Sequence, residues 1–212
     1  MKTPYQVLSL FPTPLYVNSC PEELINDHIS FLDQEEILSR KDGSYGEFSK
    51  NTYLLYQDNY KNLSSYILQH ATHYAENYLS YNYIDYKFSQ SWISVKHPEQ
   101  KHQTHHHAHS LVSGVLFYGQ SNTETPSITF HRNDEYSKTI FSHKNQPFDL
   151  LNDFSFISYN IHYKPNTLIL FPSSLQHSVD KNQSIFSRKS LAFNIVPKDG
   201  FGSEKLLCEL KF

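Results

Sequence analysis

The stretch Gln103-Thr104-His105-His106-His107-Ala108-His109 concentrates imidazole nitrogen, a ligand chemistry, in seven consecutive residues. Successive side chains of a strand alternate between faces, so on a strand His105, His107 and His109 point to one side, and two ligands at i and i+2 can reach one ion. A third histidine arrives from Leu168-Ile169-Leu170-Phe171-Pro172-Ser173-Ser174-Leu175-Gln176-His177, where an apolar strand ends in a turn and delivers His177. Imidazole suits iron, zinc, copper and nickel alike, so the rings by themselves do not name the metal. A histidine run alone is more often a solvated loop, and a single His177 more often a structural residue. Here the run stands directly before the apolar strand Leu111-Val112-Ser113-Gly114-Val115-Leu116-Phe117-Tyr118. The combination is what points to a metal centre.

A second constellation follows in Arg188-Lys189-Ser190-Leu191-Ala192-Phe193-Asn194-Ile195. Alternation puts Arg188, Ser190, Ala192 and Asn194 on one face and Leu191, Phe193 and Ile195 on the other. Such a strand packs its apolar face against a layer and shows a small polar face to a lumen. A guanidinium on that face needs a partner. A carboxylate held bidentately, with a hydroxyl alongside, is the natural one, and the bland alternative is an ion pair with an internal acid.

The elements that must position these residues are legible in part. Prolines at Pro12 and Pro14 give residues 10–16 an extended reading, since each fixes its own φ and pushes its predecessor out of the helical region. Pro21-Glu22-Glu23 starts a helix in which Leu24, Ile25, His28, Ile29 and Leu32 recur at helical spacing. A second helix is expected over 59–79, with Leu63, Ile67, His70, Tyr74 and Tyr78 on one stripe, and both helices should pack on one face of a sheet. From residue 81 the texture changes to short runs rich in Tyr, Phe, Ile, Ser and Val between turn clusters. Strands are expected near 82–88, 91–97, 103–107, 111–118, 127–131, 158–163, 167–171 and 187–196, the pattern of a β-sandwich or barrel. The polar stretch 133–152 reads as a long loop across the barrel mouth, where substrate selection would lie.

Composition bounds the rest. The 212 residues, 15% of them aromatic and with 16 Tyr, can fill one core, and neither a repeat nor a linker suggests a second domain. Residues 1–212 are therefore expected to form a single domain: an opening strand and supporting helices over 1–80, a β core over 81–200 and a C-terminal tail over 201–212. The formal charge of −3 comes without any dense Lys/Arg block, which argues against nucleic acid as a partner. Cys20 and Cys208 fit no C-x-x-C spacing, and no run approaches the length of a membrane span. A cytoplasmic protein without membrane association is the expectation.

The run from His105 to Val115 resembles the H-x-H-(P/A)-x-S-x-x-S-G-V segment of a family of 2-oxoglutarate/Fe(II)-dependent oxygenases found in bacteria and marine phages. Leu170-Phe171-Pro172-Ser173, His177 and Val179, and then Arg188, Ser190 and Ala192-Phe193-Asn194-Ile195, resemble the family's later motifs in the same order. The segment Leu10-Phe11-Pro12-Thr13-Pro14 and the Ser91-Trp92 strand match as well, so the resemblance spans nearly the whole chain. It implies a mainly β fold with helices: a double-stranded β-helix, jelly-roll or cupin-like core with the N-terminal helices packed on one sheet. It implies His105, His107 and His177 as ligands of Fe(II), with Arg188 and Ser190 on the far carboxylate of 2-oxoglutarate and Asn194 completing the candidate cofactor-binding face. The implied reaction consumes O2 and 2-oxoglutarate, releases succinate and CO2, and hydroxylates a small-molecule, peptide or protein substrate. Two positions depart from the family pattern. His107 stands where such sites usually carry a carboxylate, and Asn166 replaces a glycine before the Leu-Phe-Pro strand, a position needing a residue tolerant of the left-handed region. Two rival readings are a cupin-like three-histidine dioxygenase or isomerase that works without 2-oxoglutarate, and a non-catalytic jelly-roll binding module.

Overall fold

The structure is a computed structural model that describes residues 6, 8–9, 11–39, 46–81, 85–119, 127–132 and 156–211. Pro12 and Pro14 carry no N–H for a ladder, and the first strand starts beyond them: β1 is Tyr16–Ser19, not 10–16. The expected helices form as α1 (Glu22–Gln34) and α2 (Lys61–Tyr78). Between them lie two short strands that the sequence reading lacks, β2 (Ile37–Ser39) and β3 (Glu47–Ser49). Then follow β4 (Tyr86–Lys96), β5 (His102–His105), β6 (Val112–Tyr118), β7 (Ser127–His131), β8 (Ser158–His162), β9 (Thr167–Pro172), β10 (His177–Val179) and β11 (Arg188–Pro197). The two strands expected over 82–88 and 91–97 are thus one, β4, with 82–84 outside the described residues. The expected loop 133–152 also lies outside them.

Two antiparallel sheets result, a larger one in the order β1-β9-β6-β11-β4-β3-β2 and a smaller one in the order β5-β10-β7-β8. The strands β1 to β3 join the larger sheet, so residues before 81 build the β core as well as support it. Period-2 alternation sorts the central strands into two cores. Leu168 and Leu170 of β9, Leu116 of β6 and Leu191, Phe193 and Ile195 of β11 pack with Ile25, Leu63, Ile67 and Tyr74 of the helices. Their neighbours Ile169, Phe171, Val115 and Phe117 turn the other way and meet Ile128 and Phe130 of the smaller sheet. Each large apolar side chain so buried is worth roughly 1.5–3 kcal/mol, enough to fix the register of β11 and with it the face that carries Arg188. The turn into β9 holds Asn166 at φ 66°, the left-handed conformation anticipated for it. Among the described residues no helix is long and apolar enough to cross a membrane.

Candidate metal centre

β5 and β10 run antiparallel with His177 opposite His105, which places one histidine from each strand across a single rung. Two residues beyond β5, the N–H of His107 donates to the main-chain oxygen of Ser173 at 3.0 Å and brings the third ring in from the side. Ring centroids lie 4.2 Å apart for His105 and His177, and 5.2 Å for His107 with either. One nitrogen from each of the three falls within 4.8 Å of the others. His105 Nδ1 lies 2.8 Å from the main-chain oxygen of Gln103, and His177 Nδ1 lies 3.0 Å from that of Leu175. A ring that donates through Nδ1 keeps its lone pair on Nε2, so both present a ligand nitrogen, and this donor set fits a divalent transition metal. The alternation that joins His105 to His107 stops there. His109 sits at φ 59°, and both it and His106 are exposed.

Burial keeps these rings neutral. It lowers the pKa of His177 to about 3 and that of His107 to about 4, with neighbouring imidazoles adding to the effect. His105 is lowered as well by burial, against the opposing pull of its Gln103 acceptor. A fourth ring, His102, stacks on His105 at 4.2 Å and is lowered to about 3, chiefly by burial and then by His105 and Lys96. The sequence reading missed it because strict alternation separates 102 from 105. The register of β5 against β10 shifts between His177 and Val179, so three residues on β5 answer two on β10, and His102 swings onto the site face.

The three ligands open into a pocket of about 550 Å³, mouth included, walled by Trp92, Phe117, Val179 and Phe171 and reaching Ser94, Lys96, Arg188 and Ser190. Arg188 and Ser190 lie opposite Lys96 and Ser94 on β4, so both cations rise from one rung. Lys96 Nζ donates to Ser94 Oγ at 2.7 Å and lies 4.6 Å from the Phe48 ring centre. Arg188 Nη2 donates to the main-chain oxygen of Asp180 at 3.0 Å, while Nη1 is buried without an acceptor among the described residues. The hydroxyl of Tyr163 is likewise buried without a well-formed hydrogen bond among the described residues; burial raises its phenol pKa, and the Arg188 guanidinium beside it opposes that rise. Tyr163 was missed as a site residue; the signal available was that it continues, at period 2, the inward side of β8 marked by Ile161. The structure therefore gathers His105, His107, His177, Arg188 and Ser190 around one cavity. Asn194 is set apart, behind His107, with its amide nitrogen 3.5 Å from the ring Nδ1.

Residues 90–194 match the family model described as "Putative 2OG-Fe(II) oxygenase". No curated protein matches the sequence. Among solved structures, the non-heme alpha ketoglutarate dependent epimerase SnoN from nogalamycin biosynthesis is similar over 88% of this chain and 77% of its own, with a TM-score of 0.64 at 11% identity. A Pseudomonas putida prolyl-4-hydroxylase is similar over 86% and 92%, with a TM-score of 0.58 at 14% identity. HygX from Streptomyces hygroscopicus, solved with nickel, 2-oxoglutarate and hygromycin B, is similar over 87% and 83%, with a TM-score of 0.53 at 10% identity. At such identities the likeness speaks for the fold, a double-stranded β-helix with helices on its larger sheet. The match to the family model covers the stretch that carries all three histidines and Arg188, so the likeness to 2OG-Fe(II) oxygenases takes in the whole candidate metal centre.

Proposed function

We propose that this protein is a 2-oxoglutarate- and Fe(II)-dependent oxygenase in which His105, His107 and His177 hold the iron and Arg188 binds the far carboxylate of 2-oxoglutarate, with Ser190 and Tyr163 beside it. The observation that carries this reading is the meeting, in one pocket, of three convergent neutral imidazoles and a buried guanidinium nitrogen without an acceptor among the described residues. Iron bound there supplies the oxygen chemistry that couples decarboxylation of 2-oxoglutarate to succinate and CO2 with hydroxylation of the substrate.

The chain's own residues do the rest. Burial keeps the imidazoles deprotonated, and the carbonyls of Gln103 and Leu175 fix two of them with Nε2 inward. Trp92, Phe117, Phe171 and Val179 narrow the access of water. Among the described lining residues there is no Asp or Glu, so the anion that offsets the ion and Arg188 is the cosubstrate dianion itself.

The substrate we propose is a small molecule or a segment of peptide or protein, with neither nucleic acid nor a membrane as partner. The formal charge of −3 without a basic block supports the former exclusion. We take residues 1–212 as one oxygenase domain, which the joining of β1, β2 and β3 to the core strands supports. We place the protein in the cytoplasm, which the free thiols of Cys20 and Cys208 support.

The test is anaerobic. Fe(II) and 2-oxoglutarate added under argon should give a weak visible charge-transfer band that decays when air is admitted, with release of succinate that depends on Fe(II). Tight zinc in a closed four-coordinate site, with no band and no succinate, would overturn the reading.

A further inference from the structure

His107 differs from its two partners in how its ring is held. His105 and His177 each direct Nδ1 to the main-chain oxygen two residues earlier. His107 directs Nδ1 instead to the side-chain amide of Asn194, at 3.5 Å. Asn194 is 6% exposed, and the other end of its amide meets Ser113 Oγ at 2.8 Å, which in turn meets Ser173 Oγ at 2.8 Å. Ser113 and Ser173 are each 1% exposed. Trp92 also lies against the ring, with centroids 5.8 Å apart. Asn194 also sits at the irregularity between Asn194 and Ile195 in the pairing of β11 with β4, and such bulges re-aim side chains.

The two ends of an amide are told apart only by their partners. With Nδ2 toward His107, the ring must accept through Nδ1 and, when neutral, carry its proton on Nε2, where no lone pair remains for a metal. With the amide turned over, donors and acceptors match along the whole chain of groups. Nδ2 donates to Ser113 Oγ, Ser113 donates to Ser173 Oγ, and Oδ1 accepts the Nδ1–H of His107, which leaves the Nε2 lone pair facing the other two rings. The second orientation gives His107 the proton arrangement that main-chain carbonyls impose on His105 and His177.

We infer that Asn194 is a positioning residue. Its amide oxygen, held by Ser113 and Ser173, fixes His107 as the Nδ1–H tautomer and so turns the histidine at the usual carboxylate position into a ligand. The inference rests on His107 being a metal ligand. It moves Asn194 from the cosubstrate face to the support of the metal.

Nitrogen-15 NMR of histidine-labelled, metal-free protein reads the tautomer directly. His107 should be Nδ1–H in the wild type and in Asn194→Asp, whose carboxylate can accept the same proton, and should shift towards Nε2–H in Asn194→Ala. A wild-type ring protonated on Nε2 overturns the inference without any variant, as does a tautomer unmoved in Asn194→Ala. Chelator competition with Co(II) supplies the second readout. Affinity should fall about 10- to 100-fold in Asn194→Ala and recover in Asn194→Asp. Loss of Co(II) affinity in His107→Ala with none in Asn194→Ala overturns the role of Asn194 and leaves the metal site standing. Full Co(II) affinity in His107→Ala overturns the metal-ligand reading itself.

Discussion

His105 and His177 face each other across one rung of the smaller sheet, their ring centroids 4.2 Å apart, so one pair of backbone hydrogen-bonded strands sets two ligands of the metal centre. His107 completes the set from the loop that follows, held by the carbonyl of Ser173. Alanine at any of the three should therefore abolish stoichiometric Fe(II) binding in anaerobic equilibrium dialysis, while His106→Ala and His109→Ala, at exposed positions, should retain it. Loss of iron in His109→Ala with retention in His105→Ala would shift the ligand pair to His107 and His109.

Neutral imidazoles, His177 buried and His102 and His107 half-buried, make the metal-free protein sensitive to acid. His102, His107 and His177 have folded pKa values of about 3, 4 and 3, against roughly 6.5 in an unfolded chain. Between those limits the unfolded state binds more protons. Stability is therefore full above about pH 6.5 and is lost as pH falls towards 4, by up to about 1.4 kcal/mol per pH unit for one such ring. Urea midpoints of chelator-treated protein should fall from pH 7 to pH 5, and His102→Leu, which removes one titrating ring, should flatten the slope. A midpoint indifferent to pH would mean that the rings are hydrated rather than buried.

Much of this site was legible because its central strands obey one period. The alternation of Arg188, Ser190 and Ala192 against Leu191, Phe193 and Ile195 reappears as a lumen face and a helix-packed face. The left-handed Asn166 was anticipated through the family resemblance, which carries a glycine before this strand. What escaped has a common cause in non-local pairing. β2, β3 and β10 are three residues each, too short to show a period, and exist because of the strands beside them. His102 reaches the site through a register shift, and Tyr163, although in step with Ile161, gains its role from Arg188, 25 residues further along the chain. Asn194 lay on the predicted face, yet its partner is a ring that the sequence placed elsewhere on the same wall.

Gly114 explains why the Ser-Gly-Val motif needs its glycine. β6 is flanked by β9 and β11, and a Cβ on Gly114 would lie 2.4 Å from the Phe193 ring and 2.7 Å from Leu170 Cδ2. Gly114→Ala must displace buried groups from both neighbours, an overpacking cost of about 1–3 kcal/mol. For a chain of this size that corresponds to a fall in Tm on the order of 2–12 °C. Calorimetry that shows an unchanged Tm would mean that Phe193 can swing aside without loss.

Arg188 should govern the cosubstrate without governing the metal. Its Nη2 is taken by the carbonyl of Asp180, whereas Nη1 and the Tyr163 hydroxyl lie buried without a well-formed hydrogen bond among the described residues, so a carboxylate there would gain a charged donor and a phenol together. Removing one partner of such a buried pair costs about 2–5 kcal/mol, or roughly 30- to several-thousand-fold in affinity. Calorimetric titration of 2-oxoglutarate into iron-loaded, anaerobic protein should show that loss in Arg188→Ala, with iron occupancy unchanged. Arg188→Lys should recover part of it, since the charge remains but the planar two-donor fork does not. Tyr163→Phe removes a single hydrogen bond to a charged group, worth about 1.5–3 kcal/mol, and should weaken binding on the order of 10- to 150-fold. Lys96 stands opposite Arg188 on β4 and supplies the competing outcome. If Arg188→Ala binds 2-oxoglutarate as tightly as the wild type while Lys96→Met loses it, the carboxylate belongs to Lys96, and Arg188 serves to brace the Asp180 turn.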